Sequence, residues 1–401
     1  MDIKEMYLGF EEMMETKAKA KPYAKNLLLW EAAKIGRRQM EGEVPLVWTR
    51  CTFPAEIISA FGALPIYTEM VGTVLSIMGH TENILKRTEE QFFSSDSCSI
   101  QRAPLGAALE GGFPAPQLLI GSTDYCENGM RFFEHLSQYF GREYVLVEIP
   151  FEYSEDSVSY VERQLKEIVN KLSQVTSTPF DIDRLRELVK YRNQTMRYQV
   201  KINELRKKIP TPLPGRRCGD FLLMVDQLAG GKSILEFTKR FYEEILTLSK
   251  EENLKKEEKI RLLWIYVFPF GLSEIFHVLE KEYCAHIVME DLSHIYWDEI
   301  DEVDPLRGLA RKMCQSYTVG AIESRTHQAR SLAQDYQVQG AIHFSHFGCR
   351  YTRGGVRILK DTLAQVGVPL LSLEGDCLNQ ENNSPVQMLA HVEAFMEILS
   401  Q

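Results

Sequence analysis

The stretch from His343 to Cys377 constrains the fold more than any other part of the chain. Val338 to His343 is an apolar run, Tyr351 to Gln365 carries helical periodicity, and Val368 to Leu373 is apolar again. The pattern reads as strand, cysteine-bearing turn, helix, strand and a second cysteine. Cys349 and Cys377 therefore fall just past the carboxyl ends of strands. In an open parallel sheet that edge is where loops converge and sites form.

The same plan recurs upstream. Pro45 to Trp48 reads as a short strand followed at once by Cys51, then a helix from Ala55 to Phe61 with Pro54 in its first turn, and a strand from Leu64 to Tyr67. A helical stretch, Thr73 to Gln91, leads into a Ser/Asp-rich loop where Asp96 and Ser97 are candidate caps for a helix beginning near Cys98. A helix N-terminus at that point is expected to favour the thiolate. Pro116 to Ile120 is a strand with Cys126 beyond its end, Met130 to Phe140 an amphipathic helix, and Glu143 to Ile149 one more strand. Ser154 to Lys208 is helical almost throughout, PTPLPG at 210–215 stops it, and Asp220 to Lys255 is again helical around Gly230-Gly231. Strands follow at Ile260 to Phe268 and His286 to Met289, with helices over Ser273 to Tyr283, Leu306 to Cys314 and Arg325 to Tyr336. The chain thus divides into a helical N-terminal segment (1–43), an α/β domain (44–152), a helical connector (153–257) and a second α/β domain (258–401).

Composition narrows the function. A formal charge of -10 with no clustered basic face argues against nucleic acid, since phosphate binding needs such a face. Lys17 to Lys25, the densest basic segment, reads as a solvated helix face. No apolar run reaches the roughly 20 residues of a membrane span, and the opening Met1-Asp-Ile-Lys-Glu has no signal-peptide core, so a cytoplasmic protein is expected. The string AGGKS at 229–233 resembles part of a phosphate loop, but the motif's first glycine would fall at Asp226 and no strand precedes it.

A reducing compartment makes the eight cysteines poor candidates for disulfides. No two are closer than 28 residues, which removes the paired spacings of zinc ribbons and bacterial ferredoxins. Cys218, inside the connector, and Cys284, between a helix and the start of a strand, read as core residues. The other six, Cys51, Cys98, Cys126, Cys314, Cys349 and Cys377, fall at element ends, three in each α/β half. The pairs Cys98/Cys126 and Cys349/Cys377 are each 28 residues apart, which fits two similarly built domains facing one another. Three thiolates on one sheet edge suit soft metal ions or an iron-sulfur cluster. Zinc is the rival, with His343 or His346 as a fourth ligand.

Cys51-Thr-Phe-Pro-Ala-Glu-Ile-Ile, Cys98-Ser-Ile-Gln-Arg, Leu-Leu-Ile-Gly-Ser-Thr-Asp-Tyr-Cys126, His343-Phe-Ser-His-Phe-Gly-Cys349-Arg and Leu-Glu-Gly-Asp-Cys377, followed by Glu393-Ala-Phe, together resemble the 2-hydroxyacyl-CoA dehydratase and benzoyl-CoA reductase superfamily. The resemblance spans nearly the whole chain. It implies two Rossmann-like or flavodoxin-like parallel-sheet domains holding oxygen-sensitive iron-sulfur clusters, with electrons supplied by a separate ATP-hydrolysing iron-sulfur activator. The missing phosphate loop agrees with such a division of labour. Dehydratases of the superfamily are heterodimers with one cubane per subunit, whereas the double-cubane cluster proteins carry six ligand cysteines per chain and join two cubanes through sulfide. The cysteine count here resembles the latter branch, which implies Cys51, Cys98 and Cys126 on one cubane, Cys314, Cys349 and Cys377 on the other, and a homodimer.

Two departures from the family pattern leave the substrate open. Asn379, Glu381, Ala390 and His391 replace the usual Asp, Arg and Thr-Arg after the last cysteine, and Glu127-Asn128 replaces Asp-Gly after Cys126. The expected chemistry is low-potential reduction of a small molecule, with a (R)-2-hydroxyacyl-CoA dehydratase subunit as the alternative and a zinc-binding or non-catalytic scaffold as a third reading. Glu56, just over one helical turn after Cys51, together with His343 and His346, are the candidate proton donors.

Overall fold

The fold is that of a computed structural model, which describes residues 3–91, 93–124, 126–228, 230–250, 257–270, 272–293 and 298–401. Helices α1 (Ile3–Ala20) and α2 (Ala24–Glu41) pack as a hairpin. The first sheet then begins: β1 (Leu46–Thr49), α3 (Ala55–Ala60), β2 (Leu64–Tyr67), α4 (Thr68–Ile77), α5 (Thr81–Glu89), α6 (Ser99–Leu109), β3 (Leu118–Ser122), α7 (Glu127–Phe140) and β4 (Tyr144–Val147). The long α8 (Glu155–Thr176) and α9 (Ile182–Arg206), with α10 (Arg216–Gln227) and α11 (Lys232–Leu248), form the helical middle of the chain. The second sheet follows with β5 (Ile260–Ile265), α12 (Ser273–His277), β6 (Ala285–Glu290), α13 (Pro305–Gln315), α14 (Ile322–Asp335), β7 (Gly340–His346), α15 (Arg350–Gly354), α16 (Val356–Ala364), β8 (Leu370–Gly375) and α17 (Pro385–Ser400).

Both sheets are parallel and four-stranded, with orders β2-β1-β3-β4 and β6-β5-β7-β8. These are the same order in sequence terms, so each half has one switch point, between β1 and β3 and between β5 and β7. There the chain's crossovers leave to opposite sides and the loops splay apart.

The strands are short apolar runs because both of their faces are covered. Alternate side chains feed different cores: Val47 joins Val161 and Leu165, while its neighbour Trp48 joins Phe133 and Leu75. In the second sheet Trp264 and Phe344 pack with Val392, whereas Leu263 and Ala341 pack with Leu332 and Leu363. A separate helical core, with Leu28, Phe221 and Phe241, joins α2 to α10 and α11.

Three expected elements differ. The helix expected over Thr73 to Gln91 starts earlier and divides at Gly79, whose φ of 73° is left-handed. The one expected over Tyr351 to Gln365 divides at Gly354-Gly355, adjacent residues without side chains to hold a turn. The helix expected over Ser273 to Tyr283 widens to a π turn across Val278–Glu282. The expected ends of two features, the helix reaching Lys255 and the AGGKS string with its Ala229, touch positions outside the described residues.

Candidate functional site

The carboxyl ends of both sheets border one cavity of about 540 Å³. Cys51 and Cys126 enter it from beyond β1 and β3, the two strands flanking the first switch point, Cys98 from the N-terminus of α6, and Cys349 from beyond β7. Cys377, just past β8, is fully buried behind that wall.

Several side chains hold these turns together. Arg50, fully buried, donates from Nη1 to the carbonyls of Ser122 at 3.2 Å, Asp124 at 3.2 Å and Cys126 at 3.4 Å, which binds the turn after β1 to the loop after β3. Glu69 on α4 accepts the Cys51 N–H at 3.2 Å. His346, also fully buried, uses both ring nitrogens: Nδ1 accepts the Cys377 N–H at 3.1 Å and Nε2 lies 3.2 Å from Cys98 Sγ. One imidazole therefore links the Cys377 turn of the second sheet to the Cys98 turn of the first. Gly348, with φ 75°, lets the Cys349 turn press on the Cys98 loop, since a Cβ there would meet the Asp96 carbonyl oxygen at 2.8 Å. The departures after Cys126 serve the same seam: Asn128 donates to the Gly348 carbonyl at 3.3 Å and Glu127 pairs with Arg350 at 3.0 Å.

Burial dominates the electrostatics of the thiols. It raises the pKa of Cys98 well above the ordinary value, and thiolates at Cys126 and Cys349 would raise it further. The N–H groups of Gln101 and Ile100 at the start of α6 pull the other way and lose, so the thiolate expected from the helix N-terminus is outweighed by desolvation. Asp96 and Ser97 do not cap α6: Cys98 is itself the N-cap residue. Cys126 is raised by burial against the pull of Arg50, and Cys377 by burial and then by Asp376, Cys98 and Cys349. Desolvated thiols whose anions repel one another gain from gathering only if a cationic group takes their protons' place. That donor set fits a thiophilic metal or cluster, whose binding releases protons. Among the described residues no three His, Cys, Asp or Glu groups close on one point as a single ion requires; the thiols surround a volume instead.

The far end of the cavity is polar. Glu56, 4% exposed, faces Arg192 at 3.8 Å, and Arg192 donates to Asp226 at 2.6 Å. Lys312 completes this group, and burial, then Arg192, lower its pKa to about 8. No sequence pattern marks Arg50, Arg192 or Lys312, and Asp226 enters only as the place where a phosphate loop would need glycine. They are single charges on helices or strand ends far apart in the chain, without a spacing to mark them.

Two expected site residues are elsewhere. Cys314 shares a face of α13 with Ala310 and Leu306 and packs into the apolar core with Ile57 and Leu165, and burial pushes its thiol up to about 11. Its helix does reach the cavity, but through Lys312 and Met313, with Ser316 and Tyr317 just past its end. His343 lies three residues before His346 on β7, an odd offset that sends it to the opposite face of the sheet. It borders a separate small chamber with Asp291 and Arg325.

The sequence profile of the 2-hydroxyglutaryl-CoA dehydratase D-component matches residues 50–399, a span that carries every cysteine and, among the described strands, all but β1. The chain belongs to this family. It is 21% identical to the (R)-phenyllactyl-CoA dehydratase alpha subunit of Clostridium sporogenes, over 95% of this chain and 96% of that one. It is also 21% identical to the alpha subunit of the lactoyl-CoA dehydratase of Anaerotignum propionicum, over 94% and 96% of the two chains. A subunit of the benzoyl-CoA reductase of Thauera aromatica is 24% identical over 78% of this chain and 79% of its own. These relatives are dehydratase and reductase subunits, so the resemblance in the cysteine motifs is borne out at superfamily level. Among the described residues no helix is long and apolar enough to cross a membrane.

Proposed function

We propose that the chain is an iron-sulfur enzyme of this family, cytoplasmic and homodimeric, that takes low-potential electrons from a separate ATP-hydrolysing iron-sulfur activator. It uses them to reduce a small molecule in the cavity. What carries the reading is the gathering of Cys51, Cys98, Cys126 and Cys349, from both sheets, around one volume of about 540 Å³, with Cys377 behind them. These five thiols are the ligand set. A bound cluster supplies single electrons at a potential, within about -700 to +450 mV, that burial, net charge and hydrogen bonds set.

The remaining work belongs to the chain. Phe53, Met70, Met78, Val74 and Met224 make most of the wall apolar, which keeps water from the bound substrate and strengthens every charge interaction inside. Glu56 and Lys312 are the proton donors at the polar end, with Arg192, itself bonded to Asp226, facing Glu56. His346 is a positioning residue: both nitrogens are engaged by the Cys98 and Cys377 turns. His343 does not line the cavity and so does not touch substrate.

Five thiols are two more than a single cubane with three cysteine ligands uses, and this surplus supports the two-cubane, sulfide-bridged form. With Cys314 in the core, the sixth position of that form falls to another group. The lengthwise similarity to two dehydratase alpha subunits supports a second reading, a one-cubane subunit of a heterodimeric (R)-2-hydroxyacyl-CoA dehydratase. Anaerobic purification separates them. Iron and labile sulfide for two cubanes, with activator-dependent reduction of small molecules, is the expected result; one cubane with turnover of a hydroxyacyl thioester gives the second reading, and a colourless zinc protein sinks both.

A further inference from the structure

Beneath the end of β7, on the face of the sheet turned away from the cysteines, lies a chamber of about 10 Å³ bordered by Ile265, Asp291, Arg325, His343 and Thr352. Its size is close to the ~10–15 Å³ that one water needs. His343 is 0% exposed and neither ring nitrogen has a hydrogen-bond partner among the described residues. A buried imidazole left so would pay the desolvation of both ring nitrogens without return. Around it stand the other groups a water requires: the Asp291 carboxylate, the Arg325 guanidinium and the Thr352 hydroxyl.

The chamber has two sides. Ile322 and Gly355, both partly exposed, border its outer side. Arg325 borders both the chamber and the 540 Å³ cavity, and Leu292, next to Asp291, lines that cavity too. Asp291 accepts the N–H of Tyr266 at 2.7 Å, and Tyr266 lines the cavity beside Cys349.

We propose that this chamber binds one ordered water and that the water, His343 and Asp291 form the inlet through which protons consumed in the cavity are replaced. The proposal rests on the reductive reading of the cavity. Each proton added to substrate leaves a cavity donor, Asp291 recharges that donor, and the chamber water returns a proton from solvent to Asp291. Only O–H and N–H bonds break and form, and the electrons come from the activator.

The charges suit the task. Burial raises Asp291 to about 6, against the pull of the Tyr266 N–H and of Arg325, so the carboxyl exchanges protons near neutrality. Burial, then Arg325, lowers His343 to about 4, which keeps it a neutral ring able to accept on one nitrogen and donate from the other. Glu290 is the further charged neighbour, and Tyr317, in the cavity wall, has its own pKa raised by burial and then by Asp291.

Asp291→Asn tests this with the full-length, cluster-loaded protein. The amide oxygen still accepts from Tyr266, so iron, sulfide and electron uptake from the activator should match the wild type. Product formation should fall about tenfold or more, and the limb of its pH profile near 6 should vanish. Unchanged turnover with an unchanged profile overturns the inlet. If the variant does not fold, a high-resolution crystal structure of the wild type decides, since a water within about 3.2 Å of a His343 nitrogen supports the proposal and its absence there refutes it. Wild-type protein that binds no iron sinks the cluster reading instead, which leaves the water site to the crystal.

Discussion

Two cysteines show how much one helical face decides. Cys349 and Cys314 both stand at element ends, but Cys349 opens onto the cavity while Cys314 lies among Ile57, Leu165 and Leu309. Cys349→Ala should strip most of the iron from anaerobically reconstituted protein. Cys314→Ala should leave iron content as it is and lower stability by about 1 kcal/mol, the loss of a small buried group. Equal iron loss from the two variants would put Cys314 back among the ligands. His343 carries a different signature. Its folded pKa of about 4 lies below the ordinary 6.5, so between those values the unfolded chain binds a proton that the folded chain refuses. Its contribution is therefore complete above about pH 6.5 and is lost as the pH falls toward 4, by about 3 kcal/mol. Denaturant unfolding of His343→Leu across that range should show a correspondingly flatter acid limb than the wild type.

At the scale of elements, the strands and most helices are legible in the sequence because each is a short apolar or periodic run covered on both sides. β2 needs nothing beyond Leu64–Tyr67, and α13 starts within a residue of the expected Leu306, where Asp304 accepts the Arg307 N–H and Pro305 takes the first turn. Glycine is where the reading loosens, as Gly79 and Gly354-Gly355 divide helices whose periodicity runs on through them. The turns holding Cys51, Cys98, Cys126 and Cys349 are legible as places. What binds them is not, because Arg50, His346 and Gly348 act across gaps of 72 and 248 residues that no local pattern reports. Gly348 is the sharpest case. A methyl group there would sit 2.8 Å from the Asp96 oxygen and 2.9 Å from the Cys98 nitrogen, on backbone at φ 75°. Gly348→Ala must separate the two cysteine turns or strain them, at a cost of about 1–3 kcal/mol. A lower melting temperature together with reduced iron per chain is the expected result; wild-type iron at a lower melting temperature would mean that the two turns need not touch for the cluster to form.

Across the whole molecule, the cavity is walled by sheets that the long helices clamp together. Asn193 on α9 bonds both the N–H and the carbonyl of Ile300, and Arg206 at its far end grips Glu290 at the end of β6 through two bonds of 2.7 and 2.8 Å. These contacts tie α9 to β6 and to the loop before α13, while its first turns pack on the first core through Leu185 and Leu188. The roof is built differently. Phe10, Met13 and Met14 of α1 close part of the cavity, and α1 is seated on α2 where Tyr7 fills the space left by the missing Cβ of Gly36. A side chain at Gly36 would overlap that ring, at 2.5 Å for the Cβ alone, and overpacking of this kind moves the more weakly held partner. Gly36→Val should therefore lift α1 without touching any thiol. Iron loading under anaerobic conditions should stay at the wild-type value, since all five ligand cysteines lie on the two sheet edges and at the start of α6. Inactivation by air should speed up several-fold, and an apolar dye should bind the uncovered wall. Wild-type air sensitivity in a variant that has demonstrably displaced α1 would show that the sheets alone keep solvent from the site.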